Sequence, residues 1–448
     1  MKIPRFLRGD DGAGATVSGE ARAALTTFLT MAYILVVNPT ILSGAVQVDG
    51  VNLFGELLAA TALAAAAGSI LMGVLGRHPF ALAPGMGLNA YFAFEIVGAR
   101  GVPWQTALGA VFLSGCLFLL LSVTGVRGLI ARAIPEALQH GVVAGIGLFL
   151  LHLGLQSAGV VVDNPATLVS LGDVTAPGVW LLLLGLAVMV PLQVRGASWA
   201  LLAGMGAVTA VAIVMGLPVW QGAALAAPEG GWIQAPAWPT HLIGALDLKG
   251  ALSLGLLDVV FVFLFVDFFD TTGTLLGLAR TTGALEEDGS LRRARGAFSA
   301  DAIATTLGSL VGTSTTTSYI ESAAGVDAGG RTGLTAVFVG LLFLASLLIW
   351  PLFAAVPGAA TAPVLVLVGL SMLGSLGRVD WSDRAAAVSA GLAAIVMPLT
   401  YSIANGISAG ILTWVVLNLL SRRWERVHPL MFALAVLLVV RYAWMAGG

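Results

Sequence analysis

Charge is what this chain lacks. Only 10% of its 448 residues are Asp, Glu, Lys or Arg, against about a quarter in an ordinary soluble domain. So few charges cannot clothe a soluble particle of this size, which excludes a soluble enzyme, a nucleic-acid binder and a disordered chain. Cysteine is nearly absent: Cys116 stands alone, so no internal disulfide can form. The five histidines, at 78, 140, 152, 241 and 428, make no metal-ligand spacing. There is no H-E-x-x-H, no phosphate-loop lysine and no G-x-S-x-G, so no metal or other cofactor is expected. An ATP-driven pump is excluded for want of a nucleotide domain. The net charge of -2 singles out no electrostatic partner.

What the chain has instead is apolar length, 58% of its residues. A helix needs about 20 apolar residues to cross a bilayer. Apolar stretches between breakers give seven spans in the first half, near 22–43, 53–75, 84–98, 104–124, 136–155, 177–194 and 197–217. Seven more follow near 250–279, 297–311, 318–326, 333–356, 361–377, 384–401 and 404–421. The first 20 residues are polar, with Lys2, Arg5 and Arg8, and do not read as a cleavable signal. With the N-terminus in the cytoplasm, eighteen Lys and Arg fall on the cytoplasmic side and two, Arg100 and Lys249, on the other. That is the positive-inside bias of a correctly phased map. The expected location is a bacterial inner (cytoplasmic) membrane, with the lipid bilayer as a partner. The stretch 429–446 is short, contains Arg441 and reads as interfacial, with a fifteenth span as the alternative.

Two long polar loops remain, near 218–249 and 280–296. The first links two halves of seven spans. An odd number of spans inverts the second half relative to the first, which is the inverted-repeat design of secondary transporters. The fold class expected is therefore an all-α polytopic membrane protein with fourteen transmembrane segments.

The third segment of each half is broken. In the first, Pro79, Pro84, Gly85 and Gly87 precede a short apolar helix; in the second, the run Thr313-Ser314-Thr315-Thr316-Thr317-Ser318 does. Proline restricts its neighbour to extended backbone, and successive β-branched residues favour it too. Extended backbone at membrane depth survives only inside protein or beside a cavity. Two such breaks at matching positions point to a substrate site, at which the helices after them would aim their N-termini; purely structural re-entrant loops are the alternative.

Intramembrane carboxylates are functional by default. Asp267 and Asp270 share a face of the eighth span, Asp267 walled by Phe263, Phe265, Phe268 and Phe269. Glu321 is expected one turn into the broken tenth span. Asp258 and Asp301 read as structural, Glu95 as facing water, and Asp270 as open between a structural and a functional role. A carboxylate removed from water takes up a proton or a cation. With Asn89 and aromatic walls, these acids suit a flat neutral ligand bearing N–H donors. An anion would want a mid-membrane arginine, and none is present.

The segments Thr26 to Ile34, Asn38-Pro39, Ala83 to Tyr91, Phe263 to Thr271, Gly312 to Gly325 and Gly329 to Leu334 resemble the AzgA-like adenine/guanine/hypoxanthine permeases of the nucleobase–ascorbate transporter superfamily. The likeness runs from about residue 20 to 430. It implies two inverted seven-span repeats with short strands in spans 3 and 10, here near Phe80–Ala83 and Thr313–Thr317. It implies a core domain (22–126 and 250–357) and a gate domain (127–217 and 358–425), beside the cytoplasmic N-terminus (1–21), outer linker (218–249) and C-terminal interfacial segment (426–448) read from charge and hydropathy. The family's purine-binding residues carry over onto Asn89, Asp267, Asp270 and Glu321, with Gly87 linked to the site. Thr316 stands where an aliphatic residue is common in the family.

The expected function is proton-coupled purine uptake by alternating access, not enzymatic catalysis. Substrate contacts are expected from Asn89, Asp267, Glu321, Phe263, Tyr33, Ala83, Gly87, Thr315 and Thr316, and proton coupling from Asp267, Asp270 or Glu321. The partners are a purine nucleobase and protons, with a homodimer through the gate domain as a further expectation. An anion exchanger on the same fold is the rival.

Overall fold

The computed structural model describes residues 7, 15–49, 51–124, 133–216, 231–253, 256–287 and 290–447. Lys2, Arg5, Arg8, Arg127, Arg132, Asp288 and the 218–230 part of the linker lie outside the described residues. Among the described residues, nine helices are long and apolar enough to cross a membrane. Two shorter apolar helices, Ala200–Val214 and Arg384–Thr400, supply spans 7 and 13. The remaining three of the fourteen are the broken spans 3 and 10 and span 9, Ala294–Val311.

Span 1 is itself interrupted, running Val17–Met31 and then Ile34–Ser43, with Tyr33 at the joint. Span 2, Phe54–Leu71, ends in a π-helical turn, Met72–Gly76. Span 3 opens with strand β1, Leu82–Pro84, continues as Met86–Ala90 and finishes as a nine-residue π-helix, Tyr91–Ala99. Spans 4 to 7 are Trp104–Thr124, Glu136–Ser157, Pro177–Val194 and Ala200–Val214. The connection between spans 5 and 6 carries a hairpin of β2, Val161–Asn164, and β3, Leu168–Leu171. Span 8 is one unbroken helix, Leu257–Thr282. Span 10 consists of strand β4, Thr316–Ser318, and the short helix Ser322–Asp327. Span 11 begins as Gly333–Ser346, span 12 contains Ala362–Leu373, and span 14 is Ile403–Leu420. The apolar stretch after span 14 is a helix, Pro429–Gly447.

The chain divides into two compact units. The larger comprises residues Met1–Val123 and Ser157–Val364. Its spans 2 and 11 cross at bare backbone: a Cβ on Gly333 would collide with the Gly73 carbonyl oxygen. Glu20, 1% exposed, accepts from the backbone N–H groups of Arg331 and Thr332 and from the Thr335 hydroxyl, and so caps span 11 from span 1. The smaller unit is Thr124–Gln156 and Leu365–Gly448. Small residues bring its helices together, as apolar lipid-facing helices require. Gly141 of span 5 faces the Ala390 backbone, and Gly406 of span 14 faces Met397 and the Ala393 carbonyl.

Candidate functional site

The site begins with the pairing of the two breaks. β1 and β4 run antiparallel, with Leu82 opposite Ser318, Ala83 opposite Thr317 and Pro84 opposite Thr316. Flanking bonds extend the ladder symmetrically: Gly85 N–H donates to Thr315 O at 2.9 Å and Tyr319 N–H to Ala81 O at 3.0 Å. Both strands begin later than the sequence implied. At the second break the reason is visible: Thr313 N–H still donates to Gly308 O, through Gly312 at φ +97°, so the first residue of the expected strand closes the helix of span 9.

Backbone groups of these strands that do not face each other need partners inside the membrane. Neighbouring spans supply them. Ser69 of span 2 accepts from Leu82 N–H at 3.0 Å and donates to Leu82 O at 3.1 Å. Thr305 of span 9 accepts from Thr316 N–H at 3.1 Å and approaches Thr316 O at 3.0 Å. Ser322 accepts from Ala81 N–H, and the Tyr319 hydroxyl donates to Pro84 O at 2.6 Å. These clamps are absent from the sequence reading, because an isolated hydroxyl in an apolar helix carries no periodic signal.

The acids cluster on the side of span 8 and β4. Asp267 is buried; its Oδ2 accepts from Thr305 Oγ1 at 3.1 Å, and its Oδ1 has no protein partner. Asp301 is fully satisfied: Oδ2 accepts from Thr271 at 2.8 Å, and Oδ1 accepts from Ser318 N–H and Oγ at 3.0 and 3.1 Å. Asp270 lies within electrostatic reach of Glu321 and Asp301. Glu321 precedes the short helix of span 10 rather than sitting one turn inside it, and its Oε1 accepts from the Tyr33 hydroxyl at 2.7 Å. Span 1 is thereby brought to the site at its own interruption.

Asn89 lies in the helical turn after β1, wholly buried, with Nδ2 donating to Asn38 Oδ1 at 2.5 Å. Its Oδ1 has no protein partner, nor have Ser314 Oγ, Thr315 Oγ1 and Thr316 Oγ1. Buried polar atoms are nearly always bonded, so a group of orphaned oxygens at the two breaks is informative. Ala83 is the central residue of β1, and Gly87 is half-buried two positions past Gly85. Phe263 is buried edge-on against Tyr91, ring centres 5.1 Å apart. Glu95 does not face water: it is 4% exposed and pairs at 2.8 Å with Arg100, which also holds Asp258 at 2.9 Å. Apart from this pairing at the end of span 3, no lysine or arginine among the described residues is buried with the acids.

The sequence pattern of the permease family matches residues 19–409. The adenine permease AdeP of Escherichia coli (strain K12) is 41% identical over 428 residues, covering 96% of this chain and 93% of that one. The guanine/hypoxanthine permease PbuO of Bacillus subtilis (strain 168) is also 41% identical, over 433 residues, with 95% and 97% covered. Among solved structures, the transmembrane domain of a cyanobacterium bicarbonate transporter, BicA, superposes with a TM-score of 0.64 at 15% identity, covering 88% of this chain and 97% of that one. The last likeness bears on the fold alone. The chain belongs to the permease family: it is a multi-pass membrane transporter with two inverted repeats of seven spans, and not an enzyme.

Proposed function

We propose that this chain carries purine nucleobases (adenine, guanine or hypoxanthine) into the cell by proton-coupled alternating access. The names of its relatives support the substrate class. The observation that carries the reading is the set of buried, unpartnered oxygens, Asp267 Oδ1 and Asn89 Oδ1 among them, at a paired strand break with no lysine or arginine among the described residues buried beside it. Each unsatisfied buried group costs about 1–3 kcal/mol, so a ligand bringing N–H donors offsets a cost already present in the fold. A flat base with several N–H groups and no net charge fits that chemistry. An inorganic anion does not, because the carboxylates of Asp267 and Glu321 would face it.

In this reading Asn89, Asp267 and Glu321 take the base, with Tyr33, Phe263, Ala83, Gly87, Thr315 and Thr316 around it. Asp267, Asp270 and Glu321 hold the transported proton between them. Glu321 Oε1 already accepts from Tyr33, so a base N–H arriving there competes with or joins that bond. The core (22–126 and 250–357) then moves relative to the gate (127–217 and 358–425), and ligand binding drives the change only through contacts that differ between the two states. The remaining parts of the proposal are an inner (cytoplasmic) membrane, a cytoplasmic N-terminus and a homodimer through the gate.

The test is uptake of radiolabelled adenine, guanine, hypoxanthine and uracil into proteoliposomes, with and without an inward proton gradient, for wild type and Glu321→Gln. Gradient-driven purine accumulation lost in the variant supports both carrier and residue. Accumulation that survives the substitution moves the contacts to Asp267 or Asp270. No purine uptake by folded protein sinks the reading.

A further inference from the structure

We propose that Asn38 and Thr61 are positioning residues that set the polarity of Asn89, so that its amide meets the ligand as an acceptor and selects one that offers an N–H there. The inference rests on the purine reading above and deepens it.

The two ends of an asparagine amide are nearly alike in shape, and only the surrounding network decides which faces where. The network here leaves one solution. Thr61 Oγ1 lies 2.6 Å from the Leu57 carbonyl oxygen, one turn back in span 2. Two oxygens so close require a proton between them, and a carbonyl has none to give. The single hydroxyl proton of Thr61 is thus committed to its own helix, and toward span 1 this oxygen can only accept. Asn38 meets it with Nδ2 at 2.8 Å and turns the second amide proton to Thr313 Oγ1 at 2.9 Å. With both protons engaged, Asn38 presents Oδ1 to span 3, where only a donor fits. Asn89 supplies Nδ2 at 2.5 Å, and its Oδ1 is left buried without a protein partner.

Thr61, Asn38, Asn89 and Thr313 all have 0% exposure, so no bulk water resets the order. The relay runs from a backbone carbonyl of span 2 through span 1 to the first break, and Thr313 ties it to the second. A reversed Asn89 would offer N–H to the ligand and favour a ring nitrogen or carbonyl at the same place. As built, Asn89 Oδ1 adds an acceptor of fixed polarity beside the carboxylates of Asp267 and Glu321.

The experiment uses the full chain in proteoliposomes. Uptake of labelled hypoxanthine is competed by hypoxanthine and by its N1-, N7- and N9-methyl derivatives, each lacking one donor. Wild type should reject at least one derivative. Thr61→Val releases Asn38 and should shrink the penalty for one derivative about tenfold, the worth of one well-placed hydrogen bond, while the other penalties stay. Thr61→Ser should restore the wild-type pattern. Thr313→Val removes the other acceptor and should move the same derivative in the same direction, which keeps the test alive if Thr61→Val does not fold. Penalties that are unchanged, or that all shift by one factor, overturn the proposal, since a merely structural role moves every ligand alike. A folded wild type that takes up no purine overturns the function reading itself, and is recognised before any variant is scored.

Discussion

The two breaks use one backbone device with two different chemistries. At the first, β1 is Leu82-Ala83-Pro84, and Ser69 bridges both the N–H and the C=O of Leu82. At the second, β4 is Thr316-Thr317-Ser318, and Thr305 meets the same two groups of Thr316, the residue at the matching place in its strand. The inverted repeat therefore persists at the level of individual hydrogen bonds. The difference lies in what else the clamps touch. Thr305 reaches Asp267, and β4 is held again by Asp301. Backbone support is thus alike at the strand N–H groups, whereas the one Thr305 hydroxyl proton is shared between Thr316 O and Asp267, and acid chemistry belongs to the second half. Asn89, tied through Asn38 to Thr313, is the first half's polar contribution.

The largest expected effect breaks that asymmetry. Asp301→Ala leaves two donors without an acceptor, the Ser318 N–H and the Ser318 hydroxyl, and leaves the Thr271 hydroxyl only Thr317 Oγ1 to turn to. It should cost about 3–5 kcal/mol and abolish recovery of folded protein. Ser69→Ala at the other break strips only the two backbone groups of Leu82, at about 1–3 kcal/mol, and should leave protein that can be purified. Size-exclusion profiles and thermal midpoints in detergent compare the two directly. Equal losses would mean that the second break is no more dependent on its side chains than the first.

Much of this frame is legible in the residues themselves. Long apolar runs and the one-sided Lys and Arg place the spans, because lipid imposes length and the charge bias imposes phase. Pro79, Pro84 and the Thr-Ser run mark the breaks for the same steric reasons that shape them in the structure. The partners are not legible. Glu95 reads as a wet span end, yet Arg100 folds back to pair with it and with Asp258, a contact 158 residues distant in sequence from Arg100. Glu20 ends the polar N-terminal stretch in the sequence, yet it caps span 11. Ser69, Thr305 and Asn38 are ordinary residues in helices until the strands they serve are in place. The β2–β3 hairpin is too short to declare itself between two strong helices. Pattern shows where a polar group is; only tertiary contact shows which of its atoms is left over.

Two smaller effects sharpen the comparison at its chemical end. Thr305→Val should destabilise about as much as Ser69→Ala, because each removes one strand clamp, but it alone frees Asp267 Oδ2. Purine uptake by the surviving Thr305→Val protein should therefore fall by about tenfold beyond the Ser69→Ala level. Thr305→Ser should return it. Tyr33→Phe removes a single 2.7 Å bond from Glu321 and no strand contact. Its stability should stay near wild type, and its KM for the transported base should shift by no more than about tenfold. A Tyr33→Phe protein as unstable as Ser69→Ala would place Glu321 in the scaffold rather than in the site.

The smallest effect belongs to a carboxylate that is not in the membrane at all. Asp383, in the connection before span 13, faces Arg426 and accepts from Ala385 N–H at 3.1 Å. Partial burial alone would raise its pKa, but the guanidinium and the helix N–H outweigh that and hold the carboxyl below its usual range. A group depressed in the folded state contributes stability above its unfolded value, about 3.9, and loses it as the pH falls through the folded value. The Arg426 side chain is 45% exposed, so solvent screens the pair and the whole contribution is within about 1 kcal/mol. The thermal midpoint of wild type should fall slightly more than that of Asp383→Asn between pH 6 and pH 3, while Arg426→Ala should transport normally at pH 6. An acid-sensitive loss here as large as that of Asp301→Ala would show that charge alone, and not burial beside an extended strand, makes the second break fragile.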